Sequence, residues 1–126
     1  MSDTELVAKA DADLSDKQYH IIRLTGDRTC NIGSLATDLN LAGVLQNKPK
    51  SGDHATVKFM GRGKVVAGAA ISANALFTTN GSGRAVAAST NSGGIDTVVG
   101  RVLQAAGGDG EIVDCVYLPP FRLSNN

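Results

Sequence analysis

The residues of widest chemical range in this chain are two histidines, His20 and His54, and two cysteines, Cys30 and Cys115. An enzyme needs such groups to converge with a partner. Each histidine stands on a run of strand-forming residues, and no Gly-x-Ser-x-Gly segment supplies a nucleophile elbow. A thiolate from Cys30 or Cys115 paired with either histidine has no supporting local pattern. Neither cysteine has CxxC or CxxH spacing, which argues against zinc. They read as buried thiols rather than a disulfide. The acidic residues do not follow calcium-loop spacing. Gly61-x-Gly63 and Gly107-Gly108-Asp109-Gly110 are not followed by the Lys-Ser/Thr pair of a P-loop, nor by a helix start that would hold an anion. Lys58 precedes Phe59-Met60, which is not the setting of a biotin- or lipoate-bearing lysine. The expectation is no catalytic residue, no metal and no cofactor.

The elements that carry these residues are short and β-like. Tyr19–Thr25 and Thr29–Ile32 flank a turn at Gly26-Asp27-Arg28. Further strands are expected over 42–46, 54–60, 64–67, 75–79, 84–88, 97–104 and 111–118. Gly61-Arg62-Gly63 reads as a tight hairpin connection, with further turns at Asn80-Gly81-Ser82-Gly83 and Asn91-Ser92-Gly93-Gly94. Turn signals at this spacing predict an all-β barrel or sandwich over residues 19–118. The only internal helix candidate lies near 34–41. Residues 1–18 are polar, with Leu6, Val7, Ala10 and Leu14 as a narrow helical stripe, and are read as an extended N-terminal arm. Residues 119–126 form a tail whose Pro119 and Pro120 cannot extend a central strand. Phe121 and Leu123 in that tail need an apolar cover.

Composition narrows the role. The 126 residues fit one domain, 42% hydrophobic but only 4% aromatic and without tryptophan. The core must therefore be small aliphatics, and such a core is thin. That suits a subunit stabilised by neighbours; a modest monomer has the same composition. Twelve basic residues balance twelve acidic ones. There is no basic field for nucleic acid, and little charge to keep like subunits apart. No apolar run is long enough for a membrane span, and the start of the sequence lacks a secretory signal, so synthesis in a host cytoplasm is expected.

The sequence also carries an internal echo. Val44-Leu45-Gln46 recurs as Val102-Leu103-Gln104, an offset of 58 (102 − 44), which also pairs Gly52 with Gly110, Asp53 with Glu111 and Phe59 with Tyr117. Two strand–loop–strand units in pseudo-symmetric positions would give this pattern, as would chance similarity between valine-rich strands.

From Ala42 onward the chain resembles the phage capsid decoration, or cement, proteins. The resemblance rests on Ala42-Gly43-Val44-Leu45-Gln46, Pro49, Gly52-Asp53 and Val57-Lys58-Phe59. It continues through Gly61-x-Gly63-Lys64-Val65-Val66-Ala67-Gly68, Ile71-Ser72, Ala75-Leu76-Phe77-Thr78-Thr79 and Gly83–Ala88. It closes with Val99-Gly100-Arg101-Val102-Leu103 and the run to Leu118. It implies a β-barrel or β-tulip-like subunit, commonly a homo-trimer, which binds the major capsid protein on the outside of an icosahedral head and has no active site. Leu6, Val7 and Leu14 of the arm, with Pro119, Pro120, Phe121 and Leu123 of the tail, are then the expected capsid or subunit contacts; frayed ends without a role are the plain alternative. Two other functions fit the same residues: another virion part such as a tail-tube or head-fibre component, or a small ligand-binding or hydrolytic β-barrel. A deep pocket with His20 or His54 beside a carboxylate or thiol would favour the last.

Overall fold

The computed structural model describes residues 4–88 and 96–122, and all regular structure within them is β. The strands are β1 (Glu5–Ala10), β2 (Ile21–Gly26), β3 (Thr29–Ile32), β4 (Leu41–Leu45), β5 (His54–Lys58), β6 (Gly61–Val66), β7 (Leu76–Thr79), β8 (Ala85–Ala87), β9 (Thr97–Val102) and β10 (Ile112–Arg122). The first five close into a barrel in the order β1-β3-β2-β4-β5; the other five form a sheet in the order β6-β10-β9-β7-β8.

Four expectations are corrected. Glu5–Ala10 is no arm but a barrel strand, antiparallel to β5 (Leu6↔Val57) and parallel to β3 (Lys9↔Thr29). Its inward residues are Leu6, Ala8 and Ala10, a period of two that two small alanines conceal among charged neighbours. Leu14, beyond the strand, is buried in the core. The residues around Gly61-Arg62-Gly63 make no hairpin, because they begin β6, which pairs with β10 rather than β5. The 34–41 segment holds turns, and then the first residue of β4. Pro119 and Pro120 lie within β10, where a bulge between Tyr117 and Phe121 takes up their missing donors before pairing resumes at Phe121↔Val98. The expected turn at 91–94 lies outside the described residues, as does Leu123.

The two halves of the chain are copies of one unit. Read as β8-β7-β9-β10-β6, the second sheet has the strand order of the first, β3-β2-β4-β5-β1. Its remaining seam, between β6 and β8, is bridged in parallel at Ala67↔Ala85, where the first barrel has Ala10↔Cys30. Left-handed residues recur in step: Tyr19 (68°) and Asn74 (72°), Arg28 (62°) and Gly83 (76°), Gly52 (89°) and Gly110 (91°). The three non-glycine cases carry a strain cost that only a fixed local architecture sustains. Loop hydrogen bonds recur too. Leu45 N–H donates to His20 O at 2.9 Å and Val102 N–H to Ala75 O at 3.0 Å; Leu14 N–H donates to Pro49 O at 2.9 Å and Ile71 N–H to Ala106 O at 3.1 Å.

The offset drifts with loop length, from 57 at Leu14/Ile71 (71 − 14) to 55 at Tyr19/Asn74 (74 − 19) and 58 at Gly52/Gly110 (110 − 52). The Val-Leu-Gln match is therefore one residue out, since Leu45 corresponds to Val102. The Gly, acidic and aromatic pairs hold. Every buried residue of the first core, Ala8, Ala10, Leu14, Ile22, Cys30, Ala42, Leu45, Ala55 and Val57, has a buried counterpart in the second: Val65, Ala67, Ile71, Phe77, Ala85, Val99, Val102, Val113 and Cys115. Of the additional members of the second cluster, Ile21, Leu41, Val44 and Tyr117 fill the junction between the halves, and Ala106 packs beside its bridge partner Ile71.

Candidate interaction surfaces

The residues with chemical range are dispersed. Cys30 lies in the first core and Cys115 in the second, both as free thiols. Burial pushes their pKa values up to about 11 and about 12, so neither is a ready nucleophile. His20 is buried at the junction. Its Nδ1 lies 3.4 Å from Gln18 O, and Arg84 Nε approaches its Nε2 at 3.5 Å. Burial, and then the Arg84 and Lys17 charges, hold its pKa below the usual value, so the ring is neutral near pH 7. Lys58 is engaged, donating to Arg62 O at 2.8 Å with its ammonium 5.9 Å from the Tyr117 ring centroid. The Gly107–Gly110 loop holds its own anion: Glu111 Oε2 accepts from Gly107 N–H at 3.1 Å, and Asp109 pairs with Arg84 at 2.8 Å. Among the described residues no group of three His, Cys, Asp or Glu side chains is placed to hold a metal.

Where the two copies differ most is the seam between the equivalents of β1 and β3. In the first barrel it is closed by Lys9 N–H donating to Arg28 O at 2.7 Å. In the second, the counterparts of those two groups are pulled apart by a wedge from the first barrel. Val66 N–H donates to Tyr19 O at 3.0 Å, and Gly83 O accepts from Ile21 N–H at 2.7 Å. Beneath the opened edge runs the Tyr117 side chain, fully buried. Its hydroxyl accepts from Lys64 N–H at 2.9 Å, donates to Lys64 O, and accepts from Gln46 Nε2 at 3.2 Å. A Cβ at Gly63 would overlap the ring, so glycine is required there. Sequence reasoning missed Tyr117 and Gln46 as junction residues. The available signal was the Phe59/Tyr117 pair, in which the copies differ by one hydroxyl.

The first barrel carries the matching edge without a cover. Above Lys9 a shallow hollow of about 260 Å³ is lined by Val7, Ala8, Lys9, Asp27, Arg28, Thr29 and His54. His54 and Asp27 share it, but both are exposed and no hydrogen bond or ion pair joins them, which is not the arrangement of a hydrolytic pair. Of the expected contact residues, Val7 is 60% exposed beside this hollow, Leu6 packs half-buried against the first core, and Leu14 is internal. Leu14 is therefore unavailable as a surface contact. Pro119 and Phe121 are exposed at the far end of β10, with Pro120 half-buried, on the second sheet rather than the first. The expected contacts thus form two separate surfaces. Other exposed apolar residues are Leu35, Leu39, Met60, Leu103 and Ile112.

These features define an all-β protein made of a closed five-stranded barrel and a second, wedged copy of it. Among solved structures the chain is similar to the N base of the head fibre gp8.5 in bacteriophage phi29, with a TM-score of 0.65 and 23% sequence identity over 90% of this chain and 92% of that one. No protein-family model matches the sequence, and a search of curated proteins finds no similar one.

Proposed function

We propose that the protein is a non-enzymatic structural part of a phage virion, carried on the outer surface of the head, where it binds the major capsid protein and stabilises the shell by bridging its subunits. The observation that carries this reading is the fold likeness to the phi29 head-fibre base, which spans nearly all of both chains. Two features of the chain agree with it. Small aliphatic cores and a balanced charge suit a part stabilised by assembly, and exposed apolar residues on both sheets offer separate contacts. Many modest contacts repeated over a lattice bind multivalently. Assembly as a homo-trimer belongs to this proposal. The test is co-sedimentation of the purified protein with undecorated heads, followed by electron microscopy of labelled particles. Saturable binding to the shell exterior is expected; protein left in the supernatant at all concentrations refutes it.

A second reading is favoured by the same likeness: the protein is the base of a head fibre rather than a cement. Micrographs separate the two, because a base carries a projecting shaft whereas a cement leaves a low, evenly spaced knob.

A further inference from the structure

We infer that the uncovered β1 edge of the first barrel is a docking site for an extended acidic segment of another protein, which adds beside Glu5–Val7 as a further strand and sets a carboxylate against Lys9 and Arg28. That the other protein is a neighbour in the virion rests on the function proposed above; the chemistry of the site does not.

The backbone of this edge is available. Phe59 N–H donates to Thr4 O and Ala10 N–H to Asp53 O, so even-numbered β1 residues bond towards β5. Glu5 and Val7 therefore turn their N–H and C=O groups the other way. β3 pairs with β1 only from Lys9↔Thr29 onward, so no strand of the described residues reaches those groups. Lys9 N–H is already closed by Arg28 O, which fixes where an added strand must stop. In the second copy of the unit the counterpart of Val7, Lys64, has both backbone groups bonded to the Tyr117 hydroxyl. The first barrel cannot repeat that cover from within. Phe59 has no hydroxyl, and Leu6 stands where Gly63 makes room for the Tyr117 ring. Strand addition uses a bare edge of this kind.

The side chains define the occupant. Val7 and Lys9 share the outer face of β1, two residues apart, and Val7 is 60% exposed. Lys9, Arg28 and His54 line the hollow against one acid, Asp27. Neither Lys9 nor Arg28 has an ion pair among the described residues. Arg28 holds a left-handed φ of 62° where the second copy has Gly83 at 76°. Glycine would relieve that strain, so what arginine adds here is its guanidinium beside the hollow. A guanidinium binds both oxygens of a carboxylate. The matching segment therefore carries an acidic residue at Lys9 and Arg28, and an apolar residue two positions away against Val7.

The test is fluorescence anisotropy of the full chain, without heads, against short labelled peptides of alternating valine and threonine. One central valine is replaced by aspartate, asparagine or lysine. Saturable binding of the aspartate peptide is expected, with a dissociation constant below about 1 mM. The lysine peptide should bind roughly ten-fold more weakly or not at all. Arg28→Gly and Lys9→Glu should each weaken the aspartate peptide roughly ten-fold or more. Arg28→Gly should do so without lowering the melting temperature, because Gly83 shows that the unit accepts glycine there. Arg62→Glu, at an exposed position of β6 on the second sheet, should leave binding unchanged. No binding of any peptide at millimolar concentration, equal binding of the aspartate and lysine peptides, or indifference to both substitutions overturns the inference. So does self-association in sedimentation velocity that Arg28→Gly abolishes, since the edge then belongs to a second copy. Because no capsid is present, each of these failures leaves head binding standing.

Discussion

Replacing Tyr117 with Phe removes one oxygen and keeps the ring, so the change isolates the hydroxyl that covers the opened β6 edge. The ring still fills the space under Gly63, and Lys58 still lies over its face. Lost are the two bonds with Lys64 and the one from Gln46. Gln46 Nε2 retains its bond to Val44 O at 2.9 Å, so the loss falls on the Lys64 backbone. An orphaned buried group costs about 1–3 kcal/mol, and with two at Lys64 the expected destabilisation is about 2–4 kcal/mol. At roughly 4 °C per kcal/mol for a chain of this length, the melting temperature should fall by roughly 8–16 °C. The reciprocal change Phe59→Tyr should move stability by less than about 1 kcal/mol, because its hydroxyl meets an edge already open to water. A second readout is alkaline stability. Burial pushes the Tyr117 pKa up to about 12, above its ordinary value of 10. The protonated phenol thus contributes stability that is complete below pH 10 and lost as pH rises towards 12. The Phe variant should lack that alkaline loss. Thermal and urea denaturation measure both effects. A melting temperature within about 3 °C of wild type, with the alkaline limb unchanged, would refute the role assigned to the hydroxyl.

Three further outcomes follow from the junction and the cores. His20 has its pKa depressed by burial and by Arg84, so it supports folding above its ordinary value of 6.5 and that support drains away as pH falls below it. Urea midpoints between pH 7 and 5 should decline more steeply in wild type than in His20→Asn. Cys30 and Cys115 should resist an aromatic disulfide reagent at pH 8 in the folded protein and react fully in denaturant; rapid native labelling would contradict their burial. A Cβ at Gly43 would overlap Lys58 O, and one at Gly100 would lie 2.6 Å from Val116 O. Gly43→Ala and Gly100→Ala should each cost about 1–3 kcal/mol or more by chemical denaturation, as equivalent positions of one repeated unit.

Most strands were legible because their residues advertise them. Val, Ile and Thr runs punctuated by glycine mark β2 to β5 and β7 to β10 with errors of a few residues at the ends. β1 was not, since Ala8 and Ala10 carry too little hydrophobicity to reveal a period of two, whereas Leu6, Val7, Ala10 and Leu14 mimic a helical stripe. The Gly61-Arg62-Gly63 stretch misled because Gly63 serves the Tyr117 ring, a long-range demand that turn chemistry cannot express. The repeat was visible only where the offset holds at 58. One loop of the second half is shorter by two residues and two later ones are longer, so the offset moves from 57 to 55 and back to 57 before reaching 58, which hides the correspondence from any single-offset comparison. Of the residues expected as contacts, Val7 and Phe121 are exposed, and Leu14 is buried and so cannot serve as one. Nothing local distinguishes a leucine in an arm from one that closes a barrel.

The wedge of Tyr19 to Ile21 gives the chain a direction in time. A ribosome delivers the N-terminal half first, its own seam shut by Lys9 and Arg28 and its Ile21, Leu41 and Val44 still waiting for the second half to cover them. The later half cannot complete its seam unaided, because Val66 and Gly83 find their partners on Tyr19 and Ile21. The earlier barrel thus offers the nascent remainder the edge against which its seam closes.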